Sequence, residues 1–249
     1  GGYLYIVGGE EQVSSTGGCK NTGVSDNQCN DVQYAAFKAD GTIGTFTSGS
    51  YFSYPRRALS ATAYNGYLYV SGGIGNISSA SCKNGGTSTY CNDVQYASLA
   101  LDGSMGAFQN TTYFTTPRRG HGIVALNGYL YVAGGTNGTL QSSIKYAPIN
   151  SDGTLGSFAT STFTLATART QFGIATYGGY LYLLGGTQAA SNTSCKDTGV
   201  ADTKCNDVQY WQISTGTASG FGTSSSWTTD TAPNFTTIRQ SHSSIAYNG

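Results

Sequence analysis

The segment GYLYIVGG (Gly2–Gly9) returns as GYLYVSGG (Gly66–Gly73), GYLYVAGG (Gly128–Gly135) and GYLYLLGG (Gly179–Gly186). After each copy comes a loop, then a short apolar run ending in Tyr34, Tyr96, Tyr146 or Tyr210. Three of those runs read CNDVQY, and the one ending at Tyr146 reads SSIKY. Next stand DGTIGTF to Phe46, DGSMGAF to Phe108, DGTLGSF to Phe158 and a degenerate TGTASGF to Phe221. An arginine-led segment completes each period: RRALSATAYNG, RRGHGIVALNG, RTQFGIATYGG, and RQSHSSIAYNG ending at Gly249.

Self-similarity at a period of about 50–70 residues marks a repeat architecture. Each period reads as four short strands. The arginine-led segment is the first, and an NG or GG pair turns it into the second, YLY. Such dipeptides suit two-residue hairpin turns, whose central positions both need φ > 0. The run around DVQYA is the third strand, and DG closes a turn before the fourth, near the phenylalanine. Period-two alternation is imperfect, as in strands buried on both faces. No helix of useful length is predicted. Four-stranded antiparallel units in tandem predict an all-β fold, a β-propeller of four blades in one domain, 1–249. Blade one takes 1–48 plus 240–249, blade two 56–113, blade three 118–164 and blade four 169–229. Because the chain starts at a second strand and ends after a first, Gln240–Tyr247 is expected to pair with Tyr3–Val7. One blade is then built from both chain ends, which removes open edges.

A hydrophobic run, a Gly–Gly doublet, a spaced tyrosine and a later aromatic together resemble the kelch repeat, over essentially the whole chain. The doublets are Gly8–Gly9, Gly72–Gly73, Gly134–Gly135 and Gly185–Gly186. Phe46, Phe108, Phe158 and Phe221 stand where a kelch repeat has tryptophan, and the period is longer than usual. The resemblance implies a propeller of kelch-like blades and a structural role for the arginine that leads each first strand.

Only 10% of the residues are charged and the formal net charge is zero, against about 25% charged in typical domains. Nucleic acid is thereby excluded as an expected partner, since counterion-release binding needs a basic surface. At 12% aromatic, in regular patterns, the chain is not read as disordered. No apolar run approaches the ~20 residues of a membrane helix, so no membrane insertion by this segment is expected. The chain begins without Met and is expected to be a mature or excised form.

The six cysteines fall in three local pairs, Cys19 with Cys29, Cys82 with Cys91 and Cys195 with Cys205, each between the second and third strands of its blade. Local pairs in even number predict three disulfides, each closing a loop of about ten residues and contributing on the order of 2–3 kcal/mol. A metal site would need four ligands at close spacing, but the pairs lie on different blades and only His121 and His242 are available. No metal and no cofactor are expected. Disulfides place the protein outside the cell or on its surface. Blade three has only TNGTLQS where the others carry long cysteine-bearing loops. A short loop needs no staple, so DVQY belongs to the scaffold and the cysteine pairs to the loops.

Arg56, Arg118, Arg169 and Arg239 hold one position in the four periods, and His121 and His242 follow two of them by three residues, where the others have Leu59 and Phe172. Two readings are open for the arginines. Clustered near one axis, they would grip a carboxylate, a sulfate or a sialylated glycan, making these six residues a candidate ligand site. Alternatively each bonds backbone carbonyls or an acid such as Asp31, Asp93 or Asp207. The histidines are expected to pack. Glu10 and Glu11 are the only glutamates, and no GxSxG, HExxH or phosphate-loop motif occurs. Asp26 and Asp202 would be weak calcium ligands at most. The kelch-like radical-copper oxidases need a Cys–Tyr pair and histidine ligands, which these cysteines and two histidines do not supply. No enzyme activity is expected. Sequons for N-glycosylation stand at Asn76, Asn110, Asn137, Asn192 and Asn234, and Thr223–Thr237 could carry O-glycans.

The leading expectation is therefore a non-enzymatic extracellular recognition or adhesion module that binds protein or carbohydrate through its stapled-loop face. The alternative is a repeating subunit of an extracellular fibre or coat, with copies of itself as partners. A third is an enzyme domain whose catalytic residues lie outside this chain.

Overall fold

The computed structural model describes residues 2–10, 28–75, 90–189, 204–213, 228–229 and 235–246. They form strands, turns and irregular segments, with no helix among them. In chain order the strands are β1 (Tyr3–Glu10), β2 (Gln28–Ala36), β3 (Thr47–Ser48), β4 (Arg56–Arg57), β5 (Ser60–Tyr64), β6 (Tyr67–Ser71), β7 (Ile74–Gly75), β8 (Val94–Ser98) and β9 (Gln109–Asn110). There follow β10 (Gly122–Leu126), β11 (Tyr129–Ala133), β12 (Ser143–Pro148), β13 (Ala159–Thr164), β14 (Arg169–Thr170), β15 (Gly173–Tyr177), β16 (Tyr180–Gln188), β17 (Lys204–Gln212) and β18 (Thr228–Thr229).

Four antiparallel blades result. Blade one orders β1-β2-β3, blade two β5-β6-β8-β9 and blade three β10-β11-β12-β13. Blade four orders β16-β17-β18, with both β14 and β15 pairing to β16. This is the β-propeller fold. In blades two, three and four the first strand starts four residues after its arginine, and Arg56 and Arg169 sit in separate short pairings, β4 with β7 and β14 with β16.

Register explains the tyrosines. Tyr5 lies opposite Tyr34, Tyr69 opposite Tyr96, Tyr131 opposite Tyr146 and Tyr182 opposite Tyr210. The tyrosine two residues earlier shares the face, so each blade carries a rung of three rings. Tyr3 and Tyr5 stand 6.1 and 5.9 Å from Tyr34, and Tyr67 and Tyr69 stand 5.9 and 6.3 Å from Tyr96. Cross-strand aromatic pairs of this kind each contribute roughly 0.2–1 kcal/mol.

The chain divides into two compact units, Gly1–Pro117 with Asn150–Thr154, and Arg118–Ile149 with Leu155–Gly249. In the first, Val32, Phe52, Leu68 and Val70 form a buried cluster, with Met105 and Phe108 packed on it. In the second the core runs through Ile144, Leu165, Phe172, Leu181, Leu183 and Trp211. Phe46, which stands where a kelch repeat has tryptophan, is 41% exposed.

The rung also reaches the next blade. Tyr5 Oη donates to the Gly103 carbonyl and Tyr69 Oη to the Gly153 carbonyl, both at 2.9 Å. These glycines are the second residues of the Asp-Gly turns, at φ +82° and +83°. A Cβ at Gly153 would meet the Tyr67 ring at 2.5 Å, and one at Gly103 the Tyr3 ring at 2.4 Å. Gly41 forms the same turn at φ +81° with nothing within 4 Å. Gly41→Ala therefore bears only the left-handed backbone cost, about 1–2 kcal/mol. Gly153→Ala bears that cost plus displacement of a packed ring, about 1–3 kcal/mol more. Urea unfolding of the two variants measures the gap; equal losses would show that the ring contact carries no stability.

Candidate functional site

The arginine set is where the fold concentrates its buried charge. Arg56, Arg118 and Arg169 are at most 1% exposed. Arg56 Nη1 donates to the Gly72 carbonyl at 3.1 Å and to Asp93 Oδ1 at 2.6 Å, while its Nη2 reaches Asp93 Oδ2 at 2.9 Å. Arg169 repeats this with Gly185 O at 3.1 Å and Asp207 at 2.8 and 3.1 Å. Both pairs are bidentate, the geometry a planar guanidinium matches best. The carboxylates are held from the other side as well, by Gln95 Nε2 at 2.9 Å and Gln209 Nε2 at 2.8 Å. In blade one Asp31 is likewise held by Gln33, at 3.0 Å.

The glycine doublet belongs to the same device. Gly72, Gly134 and Gly185 adopt φ of +52°, +59° and +57°, and the next glycine in each case +100°, +91° and +97°. Two successive positive φ values turn the first glycine's carbonyl toward the arginine, a course of backbone open only to glycine without strain.

Each lead-in to the arginine is also tied back to the preceding blade. Asn30 Nδ2 donates to the Phe52 carbonyl at 2.7 Å, Asn92 to that of Phe114 at 2.8 Å and Asn206 to that of Phe235 at 3.2 Å. Phe52, Phe114 and Leu165, four residues before their arginines, are at most 2% exposed. Arg56 lies 5.6 Å from the Phe52 ring centroid and Arg239 5.2 Å from that of Phe235. These positions were not singled out in the sequence, although an apolar residue four before each arginine is a visible signal.

Arg118 belongs to blade three and keeps different company. It donates to Gly134 O at 2.8 Å, Ser143 O at 3.3 Å and Ser143 Oγ at 3.1 Å. Burial pulls its pKa down to about 10. Arg239 is exposed and bridges to Cys205 through its backbone. Arg57, next to Arg56, makes a half-exposed ion pair with Glu10 at 2.8 Å.

His121 is buried, and His242 is half-buried with its ring 6.2 Å from Phe235. Cys29 and Cys205 are buried at the starts of their third strands, and Cys91 is buried three residues before its own. Their expected partners Cys19, Cys82 and Cys195 lie outside the described residues, as do Asp26, Asp202, Asn76, Asn192 and Asn234. Asn110 and Asn137 are exposed. Among the described residues no cluster of three or more His, Cys, Asp or Glu is placed to hold a metal, and no helix is long and apolar enough to cross a membrane.

Residues 117–146 match the Kelch motif. That stretch is the lead arginine, the first hairpin and the third strand of blade three, the blade with the short loop. Among solved structures, the chain resembles one titled "Structure of YjhT", with a TM-score of 0.55 at 14% identity, covering 82% of this chain and 61% of that one. The likeness is one of fold, and the chain spans less than two thirds of that protein. No curated protein sequence matches the chain.

His121 makes the acid sensitivity of this region testable. Burial first, and then the charge of Arg118, lower its pKa from 6.5 to about 3. The unfolded chain therefore binds a proton that the folded one refuses between about pH 6.5 and 3. Stability from this residue is full above pH 6.5 and falls with pH through that window, by up to about 1.4 kcal/mol per pH unit. His242, lowered by burial and then by Arg239, acts in the same direction. His121→Phe, which installs the residue found at Phe172, is expected to flatten the acid limb of a stability–pH curve by about one proton. An unchanged slope would contradict this.

Proposed function

We propose that this protein is a non-enzymatic recognition module of the cell exterior that binds a partner through the loops joining second to third strands. What carries the reading is the contrast between a repeated interior and unequal loops. Arg56 and Arg169 are consumed inside their blades by Asp93 and Asp207, whereas the second-to-third-strand loop is short in one blade and long in three. Kelch-like propellers are in general protein-interaction scaffolds, and connecting loops on a rigid scaffold are where such function concentrates. The cysteines support an oxidising location. Cys29, Cys91 and Cys205 lie at the bases of the long loops, and no described cysteine is a free thiol. We take Cys19–Cys29, Cys82–Cys91 and Cys195–Cys205 as disulfides, and Asn110 and Asn137 as glycan acceptors.

The test is a pair of arrays, one of extracellular proteins and one of glycans, probed with the native protein. The same arrays are probed with a variant whose blade-four loop is shortened to the TNGTLQS length of blade three. Binding on the protein array that the shortened variant loses, at unchanged Tm, is the expected result. Binding on the glycan array alone would transfer the reading to a carbohydrate ligand. Binding on neither, with filaments seen by electron microscopy of native material, would replace it with the fibre-subunit alternative.

A further inference from the structure

The joint between blades one and two holds the one methionine of the chain, Met105. It sits in the Asp-Gly hairpin of blade two, bridged to Leu99, as Ile43 is bridged to Phe37 in blade one and Leu155 to Ile149 in blade three. The sister hairpins therefore carry a branched aliphatic where blade two carries a thioether. A second exception stands against it. Gly49 follows Ser48, the residue opposite Gln33, and the same place in the register holds Thr111 in blade two and Ser161 in blade three. The backbone is alike at this place, since Gly49 N–H donates to the Val32 carbonyl at 2.7 Å as Thr111 N–H donates to that of Val94 at 3.1 Å.

The two exceptions fit each other. A Cβ at Gly49 would lie 2.6 Å from Met105 Sδ and 3.1 Å from its Cγ, well inside the roughly 3.5–4.0 Å of an ordinary carbon contact. The missing side chain is the notch that the thioether fills. Met105 also packs on the buried cluster of Val32, Phe52, Leu68 and Val70, which draws from both blades. Beside it Phe52 and Phe108 stand edge-on at 5.9 Å. The methionine is thus held between the backbone of blade one and a core that the two blades share, yet it is half-buried rather than sealed.

A thioether is open to a chemistry that leucine and isoleucine lack. Oxidation to the sulfoxide makes a flexible apolar side chain polar and disrupts the packing around it. At Met105 the added oxygen would need room and a hydrogen-bond donor. The notch at Gly49 has no spare room, and burying a polar atom without a partner is costly.

We propose that Met105 is a site of reversible oxidation, and that its sulfoxide loosens the joint between blades one and two. The thioether takes one oxygen atom from a hydroperoxide. The O–O bond breaks, an S–O bond forms, the sulfur gives up two electrons, and the peroxide leaves as water or an alcohol. A dithiol reductant reverses the step, becoming a disulfide while the oxygen departs as water.

The probe is hydrogen peroxide, added to the native protein together with an unstructured methionine peptide as internal standard. Modification is read by peptide mapping and mass spectrometry, and stability by Tm. The peptide carrying Met105 is expected to gain one oxygen, with a fall in Tm of roughly 4–8 °C. Methionine sulfoxide reductases of both epimer specificities are expected to return mass and Tm together. Met105→Leu, which installs the residue found at Leu155, is expected to keep its Tm through the same treatment. An unmodified Met105 when the standard is fully oxidised would overturn the site. Oxidation at unchanged Tm, or an equal fall in Met105→Leu, would overturn the loosening. If the leucine variant fails to fold, hydrogen exchange of the oxidised wild type decides independently. Faster exchange at the Gly49 amide, with β16 unchanged, is expected, and an unaltered rate at Gly49 would overturn the proposal.

Discussion

A buried bidentate pair between the arginine that opens a blade and the aspartate of that blade's third strand is the constraint on which the rest of the structure depends. The two residues are 37 and 38 positions apart in blades two and four. Taking a guanidinium and a carboxylate out of water costs several kcal/mol for each ion, and the cost is recovered only when geometry is good and the remaining polar atoms are satisfied. That requirement accounts for the companions of the pair: a glutamine two residues on to hold the carboxylate, and a Gly–Gly doublet whose first carbonyl takes another guanidinium N–H. The recurring letters of this chain are the parts of one polar lock rather than independent strand-formers.

The lock holds a blade together, and other contacts join a blade to its successor in the chain. The asparagine of Asn-Asp-Val-Gln-Tyr grips the carbonyl of the apolar residue that leads into the next arginine, and the tyrosine rung seats on the next Asp-Gly turn, as the contacts of Tyr5 with Gly103 and of Tyr69 with Gly153 display. With so much of the repeated sequence committed to the interior, individuality is left to the loops and to substitutions inside the lock. Blade three shows both, a short loop and a lock rebuilt with Ser143 and Lys145.

Strand order and turns were legible because their signals are local. NG and GG pairs, alternating tyrosines and Asp-Gly turns act within a few residues, and the repeat supplied several readings of each. The purpose of the arginines was not legible in the same way. Whether Arg56 faces a ligand or Asp93 depends on a contact closed only by folding, so both readings stood open until the geometry was seen. The roles of Phe52, Phe114 and Phe235 are not legible locally, for a related reason. Their lead-ins differ in sequence, and the asparagines that bind them lie 22, 22 and 29 residues earlier. Phe46 stands where a kelch repeat has tryptophan, yet it lies just before β3, a strand of two residues, and is 41% exposed.

The most direct measurement is a double-mutant cycle on Arg169 and Asp207, using Arg169→Met, Asp207→Leu and the two together, with stability read from urea unfolding. If the lock is the organising constraint, each single change strands a buried charge and costs about 3–5 kcal/mol. The double change should then cost clearly less than the two losses added, with a coupling of about 1–3 kcal/mol. Losses that simply add would show the two residues acting independently, and the account of the blade as built around this pair would be wrong.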